Sequence, residues 1–134
     1  MYKNILVPLA LDHEAVAAPA LQVARTLLAP GGHIRVLTVI EPIPAHVAQY
    51  LPADQQDKAL REVEATLAKE FATEGVGVMA LTGHAAQAIL DTAADGAFDC
   101  VVIASHRPGL QDYFLGSTAG RVVRHASCAV HVLR

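Results

Sequence analysis

Apolar residues along this chain fall into short, nearly continuous runs separated by longer stretches with helical spacing. Ile5-Leu6-Val7 ends at Pro8, and Ile34 to Ile40 is closed by Glu41-Pro42-Ile43-Pro44. Val76 to Leu81 is broken by Gly83, Cys100 to Ala104 by Ser-His-Arg-Pro-Gly, and Ala129 to Leu133 comes last. Runs that stay apolar at consecutive positions, rather than alternate ones, belong to parallel strands covered on both faces. Gly77 weakens the third run and places it near a sheet edge. Between the runs the spacing predicts helices. The first spans about Val16 through Leu28, with Leu21, Ala24, Leu27 and Leu28 on one stripe and Pro19 tolerated in the first turn. Pro30-Gly31-Gly32 stops it. Ala45 to Pro52 reads as an irregular loop. A second helix runs from about Asp54 to Thr73 with its charges outward, and a third from Ala85 to Ala94. The fourth runs from Ser117 to about His125, where Ala119, Val122, Val123 and Ala126 share the i, i+3, i+4, i+7 spacing of a buried face.

Strands alternating with helices make an α/β protein: a doubly wound five-stranded parallel sheet, order 3-2-1-4-5, with helices on both faces. A length of 134 residues suits one domain, 1–134. In such a sheet a ligand sits beyond the carboxyl ends of the strands, where the strand order reverses. That point lies between strands one and four, between the loops Ala10 to His13 and Ser105 to Leu115.

Composition narrows the partners. The chain is 53% hydrophobic, with three Phe, three Tyr and no Trp, so Ala, Val, Leu and Ile must fill the core. A net charge of −3 argues against general nucleic-acid binding, which needs surplus Lys and Arg. From Ser105 to Arg124, however, Arg107, Arg121 and Arg124 outnumber Asp112. No apolar run has the length of a signal peptide core or a membrane span, so no membrane insertion and a cytoplasmic location are expected. Cys100 and Cys128 read as two buried thiols outside any metal spacing, with no disulfide.

The loop after the fourth strand has the chemistry of an anion site. Gly116-Ser117-Thr118 opens a helix whose first N–H groups lack intrahelical partners and carry partial positive charge. Ser105 and the backbone around Pro108-Gly109 can close the other side as a nest, with Arg107 forking onto phosphate oxygens. The plainer alternative makes Ser117 an ordinary N-cap and Pro-Gly an ordinary turn. His106 lies in the same loop and can hydrogen-bond a phosphate or serve as a weak acid–base group. The other histidines form no metal or catalytic set: His13-Glu14 lacks the second His of a zinc-protease helix, and His125 suits a helix C-terminus. The first loop, ALDHEA, also lacks the Ser-Gly-Gly-x-Asp-Ser signature of adenylating pyrophosphatases.

ILVPLA together with VVIASHRPGLQDYFLGSTAGRVVRHASCAVHVL resembles universal stress protein domains, and the ASHRP-type loop resembles one branch of that family. The resemblance implies a Rossmann-like, adenine nucleotide hydrolase-like fold. ATP-binding members read G-x2-G-x9-G-[ST]. Ala104 and Arg107 fall on the first two glycine positions, Gly116 and Ser117 on the last pair, and the loop is one residue shorter. Members that bind adenine usually read P-x-D after strand one, where Pro8-Leu9-Ala10 stands here. Asp12 can reach the same space or cap the first helix. Val39 matches the position whose backbone faces adenine, and Gly83 the glycine after strand three.

The resemblance implies a nucleotide-binding regulatory protein of the stress response, taking ATP or another adenine nucleotide, with or without Mg. Its site would comprise Ala10, Asp12, Val39, Gly83, Ala104, Ser105, His106, Arg107, Gly109, Gly116, Ser117 and Thr118. No catalytic residue is assigned, and any ATP hydrolysis would be slow. Ala129, Val130, His131, Val132 and Leu133 form an apolar edge strand, a template for pairing. In family members this strand pairs with its twin, implying a homodimer, which an unidentified regulatory protein would read. The alternatives are a dimerisation or scaffold protein that binds no nucleotide, and a slow ATPase.

Overall fold

The computed structural model describes residues 1–42, 44–50, 53–105 and 115–134. In chain order they form β1 (Tyr2–Pro8), α1 (Ala17–Leu27), β2 (Leu28–Ile40), α2 (Ala45–Ala48) and α3 (Ala53–Glu70). β3 (Gly77–Thr82), α4 (Ala85–Asp95), β4 (Cys100–Ala104), α5 (Ser117–His125) and β5 (Ala129–Leu133) follow. The five strands make one sheet in the order β3-β2-β1-β4-β5, and every neighbouring pair is parallel. This is the doubly wound arrangement expected from the alternation of elements. Gly77 opens β3, which is indeed an edge strand.

Side-chain alternation on the strands builds two cores. Ile5, Val7, Ile34, Val36, Cys100 and Val102 face α1 and α3, where Ala20, Leu21, Ala24 and Leu67 meet them. Leu6, Leu37, Val101 and Ile103 face the other way, onto Ile89 and Ala93 of α4 and Ala119 and Val122 of α5. The central strands are buried on both sides, which is why they read as unbroken apolar runs. Asp99 ties β1 to β4 at the opposite end of the sheet from the switch-point loops. Its carboxylate accepts from the Lys3 and Asn4 amides, at 2.9 Å each. Burial pushes that carboxyl up, but these amides and the Lys3 charge hold it below its ordinary value.

Four expectations need correction. β2 begins at Leu28, directly after α1, and Pro30-Gly31-Gly32 lies inside it instead of separating helix from strand. The pairing register shifts between Tyr2↔Leu28 and Asn4↔His33, so β2 bulges there. Gly31 takes φ +80°, and a Cβ on Gly32 would lie 2.8 Å from the Lys3 carbonyl oxygen, so both positions suit only glycine. The expected loop from Ala45 contains a helical turn, α2, too short to show periodicity. Val123 is 45% exposed rather than buried, whereas Ala119 and Val122 are core. Cys128 is only half-buried. Its side chain packs with the α4/α5 core while Cys100 packs with the α1/α3 core, so the thiols face opposite sides of the sheet. Burial pushes the Cys100 thiol up to about 11, with smaller contributions from Cys128 and Asp99, and holds it protonated at neutral pH.

Candidate functional site

A cleft of about 750 Å³ opens at the carboxyl ends of β2, β1 and β4. That lies within the range of small-molecule sites. Pro8 to His13 form its floor where β1 ends; Leu37 and Val39 to Glu41 form one wall, with Ala85 and Ile89 of α4. Ile103 to Ser105 and Gly116 to Ala119 form the opposite wall. The cleft therefore sits at the switch point, where β1 has β2 on one side and β4 on the other.

The start of α5 bears on the capping alternative for Gly116-Ser117-Thr118. The N-cap is Gly116, not Ser117, and no side chain among the described residues caps the helix. Gly116 has φ −56°, which any residue can adopt, so its lack of a side chain matters for space rather than for conformation. The Gly116 amide donates to the Ser105 carbonyl at 2.6 Å, and the Ser105 amide to that of Leu133 at 2.7 Å. These bonds hold the end of β4, the end of β5 and the start of α5 together. The amides of Ser117, Thr118 and Ala119 are the first-turn donors, which no helical carbonyl can satisfy. All three residues line the cleft. Ser105 is 2% exposed, so it contributes to the wall from within the fold.

Asp12 does not cap α1, whose N-cap is Val16 with no side-chain hydrogen bond. It is exposed and lines the cleft beside Ala10. The loop carrying it is anchored by a residue that sequence reasoning passed over. His13 is 6% exposed; one ring nitrogen meets the Ala10 carbonyl at 2.7 Å and the other meets Glu70 Oε1 on α3 at 2.8 Å. The ring also packs on Phe71, with ring centroids 5.8 Å apart. A lone loop histidine whose partner lies 57 residues away leaves no local pattern to find.

Val39 lines the wall at the end of β2. The Ile40 carbonyl accepts from Gly83 on the β3 side, while that of Leu37 accepts from Leu9 on the β1 side. Carbonyls alternate along a strand, so that of Val39 points toward β1 and the cleft. Gly83 is spent on that turn and does not line the cleft, contrary to expectation. Ala104 does line it, whereas His106, Arg107 and Gly109 lie outside the described residues. Glu41, Ile89 and Ala85 join the cleft unannounced by the sequence.

Two chemical ends result. One presents the uncapped start of a helix and two hydroxyl side chains. The other is apolar, rimmed by the Asp12 and Glu41 carboxylates, and no Lys or Arg stands among the described lining residues. No group of three or more metal-ligating side chains occurs among the described residues. None of their helices is long and apolar enough to cross a membrane.

A family profile of the universal stress proteins matches residues 1–134. Among solved structures, the hypothetical protein MJ0577, the subject of a structure-based functional assignment, is similar at TM-score 0.75 and 25% identity. That match covers 99% of this chain and 96% of the other. Universal stress protein UspA from Lactobacillus plantarum is similar at TM-score 0.75 and 21% identity, covering 99% and 98% of the two chains. A universal stress protein in complex with cAMP is similar at TM-score 0.62 and 17% identity, covering 99% and 97%. Strand order, cleft position and a match over the full length of the sequence agree: this chain belongs to the universal stress protein family.

Proposed function

We propose that this protein is a regulatory stress protein that binds an adenine nucleotide in the switch-point cleft, with the phosphates at the start of α5. The observation that carries the reading is the uncapped α5 N-terminus facing a cleft of nucleotide size. An apolar wall across the floor suits a base, and the Asp12 carboxylate between them suits ribose hydroxyls. Ser105, Arg107, Gly109, Gly116, Ser117 and Thr118 would hold the phosphates, and Arg107 would supply the positive charge that the described lining lacks. The fold-mate that holds cAMP supports an adenine nucleotide as the ligand class.

Isothermal titration of the purified protein with ATP, ADP and AMP tests this. Saturable heat with at least one of them is expected. No heat with any at millimolar concentration favours the second reading, a scaffold without nucleotide, for which the two carboxylates in the cleft speak.

The same proposal makes the protein a cytoplasmic homodimer through β5. Among the described residues this strand pairs only with β4, and none pairs with its other edge. Val130 and Val132 are half-buried on one face, Ala129 and Leu133 on the other. Sedimentation equilibrium is expected to return twice the 14.1 kDa chain mass. A monomer at micromolar concentration removes the dimer.

A further inference from the structure

Glu41 is the first residue beyond β2 and stands at the rim of the apolar end of the cleft. It is exposed and makes no hydrogen bond or ion pair to another described residue. The strand order sets the distance from the phosphate end. β4, which leads into the α5 seat, and β2 are separated by β1, so two strand spacings, roughly 10 Å, lie between them. A nucleotide laid across the cleft with its phosphate at α5 thus has its sugar over β1 and its base against the half-buried Val39, Ile40 and Ala85. The carboxylate of Glu41 then faces the edge of the base.

We propose that Glu41 determines which base this cleft accepts, taking a hydrogen bond from the exocyclic amino group of adenine. This rests on the nucleotide reading above and deepens it. An ionised carboxylate only accepts hydrogen bonds. The amino group at position 6 of adenine donates, whereas the oxygen at position 6 of hypoxanthine accepts and meets the carboxylate as a repulsive pair. That amino group has two hydrogens, and the Val39 carbonyl, turned toward the cleft, takes the second. A site built around a donor rejects the analogue that lacks it more strongly than an apolar pocket rejects a change of size.

The test compares AMP with IMP, which carries an oxygen in place of the 6-amino group and a proton on the neighbouring ring nitrogen, on the wild type and on Glu41→Gln. AMP is expected to bind about ten-fold or more tighter than IMP to the wild type. In Glu41→Gln the amide can donate to the IMP oxygen, and the preference should fall to about three-fold or less. The side chain is solvent-exposed, so the variant keeps its fold; a thermal melt matching the wild type verifies this. An unchanged AMP/IMP ratio in a variant that still binds AMP overturns the role of Glu41 and leaves the nucleotide reading standing. A wild type that binds no nucleotide overturns both. GMP binding more tightly than AMP would place the carboxylate on the guanine donors and overturn the adenine assignment.

Discussion

Ser117→Glu should lower nucleotide affinity about 150-fold while leaving the protein as stable as the wild type. Ser117 is the first residue of α5, exposed and lining the cleft. A carboxylate at that position interacts favourably with the partial positive charge of the helix start, by about 0.3–1 kcal/mol, so the fold loses nothing. The same carboxylate occupies the seat proposed for a phosphate. Charge-assisted hydrogen bonds are worth about 1.5–3 kcal/mol, and like-charge repulsion adds to their loss. A total of about 3 kcal/mol corresponds to roughly a 150-fold weakening. Ser117→Ala separates the hydroxyl from the backbone: it removes one donor but leaves the first-turn amides, and should cost only a few-fold. Titration calorimetry and a thermal melt on each variant give the answer. Binding of Ser117→Glu within three-fold of the wild type would mean that the phosphates lie elsewhere.

The parts of this fold that sequence reasoning located best are those punctuated by residues with a single local meaning. β4 and β5 are apolar runs bounded by polar or small residues, and α5 starts where Gly-Ser-Thr meets a helical stripe; all three have the bounds expected. Errors arose where distant packing overrides a local sign. Pro30-Gly31-Gly32 reads as a stop, but the sheet accommodates it as a bulge because β1 lies alongside. Val123 shares the spacing of Val122, yet α5 meets another helix, α4, on one flank only among the described residues, and one border of its stripe stays exposed.

The candidate site was legible in the same measure. The cleft and the helix start that lines it follow from topology and from one glycine-hydroxyl motif, because both are consequences of chain order. Glu41 reads as the residue that closes a strand, and nothing in Glu-Pro-Ile-Pro says that it lines a cleft. His13 needed α3 in place before its role in anchoring the Ala10 to His13 loop could appear. The capping roles considered for Ser117 and Asp12 were settled only by the backbone, which starts α5 at Gly116 and α1 at Val16.

Leu37→Ala should be the most destabilising of the substitutions considered, because Leu37 belongs at once to the core and to the cleft wall. It is fully buried in β2, set beside Pro8 on one side and Met79 on the other. Its side chain packs with Leu6, Ile89 and Val101. Truncating a leucine in such a place costs about 2–5 kcal/mol, the spread reflecting how far the surroundings collapse. The parallel strands on both sides restrict collapse, which puts the expected loss at about 3 kcal/mol, against a total stability of roughly 5–15 kcal/mol. For a chain of this length the melting temperature should fall by about 10 °C. Val123→Ala, on the exposed border of α5, should change stability by no more than about 0.5 kcal/mol and serves as the comparison. Ligand adds a second reading of the same variant. A nucleotide that binds only the native state, at 100 times its dissociation constant, should restore about 2.7 kcal/mol. Urea unfolding with and without AMP measures both quantities. A loss below about 1 kcal/mol for Leu37→Ala would mean that the wall of the cleft is not continuous with the core.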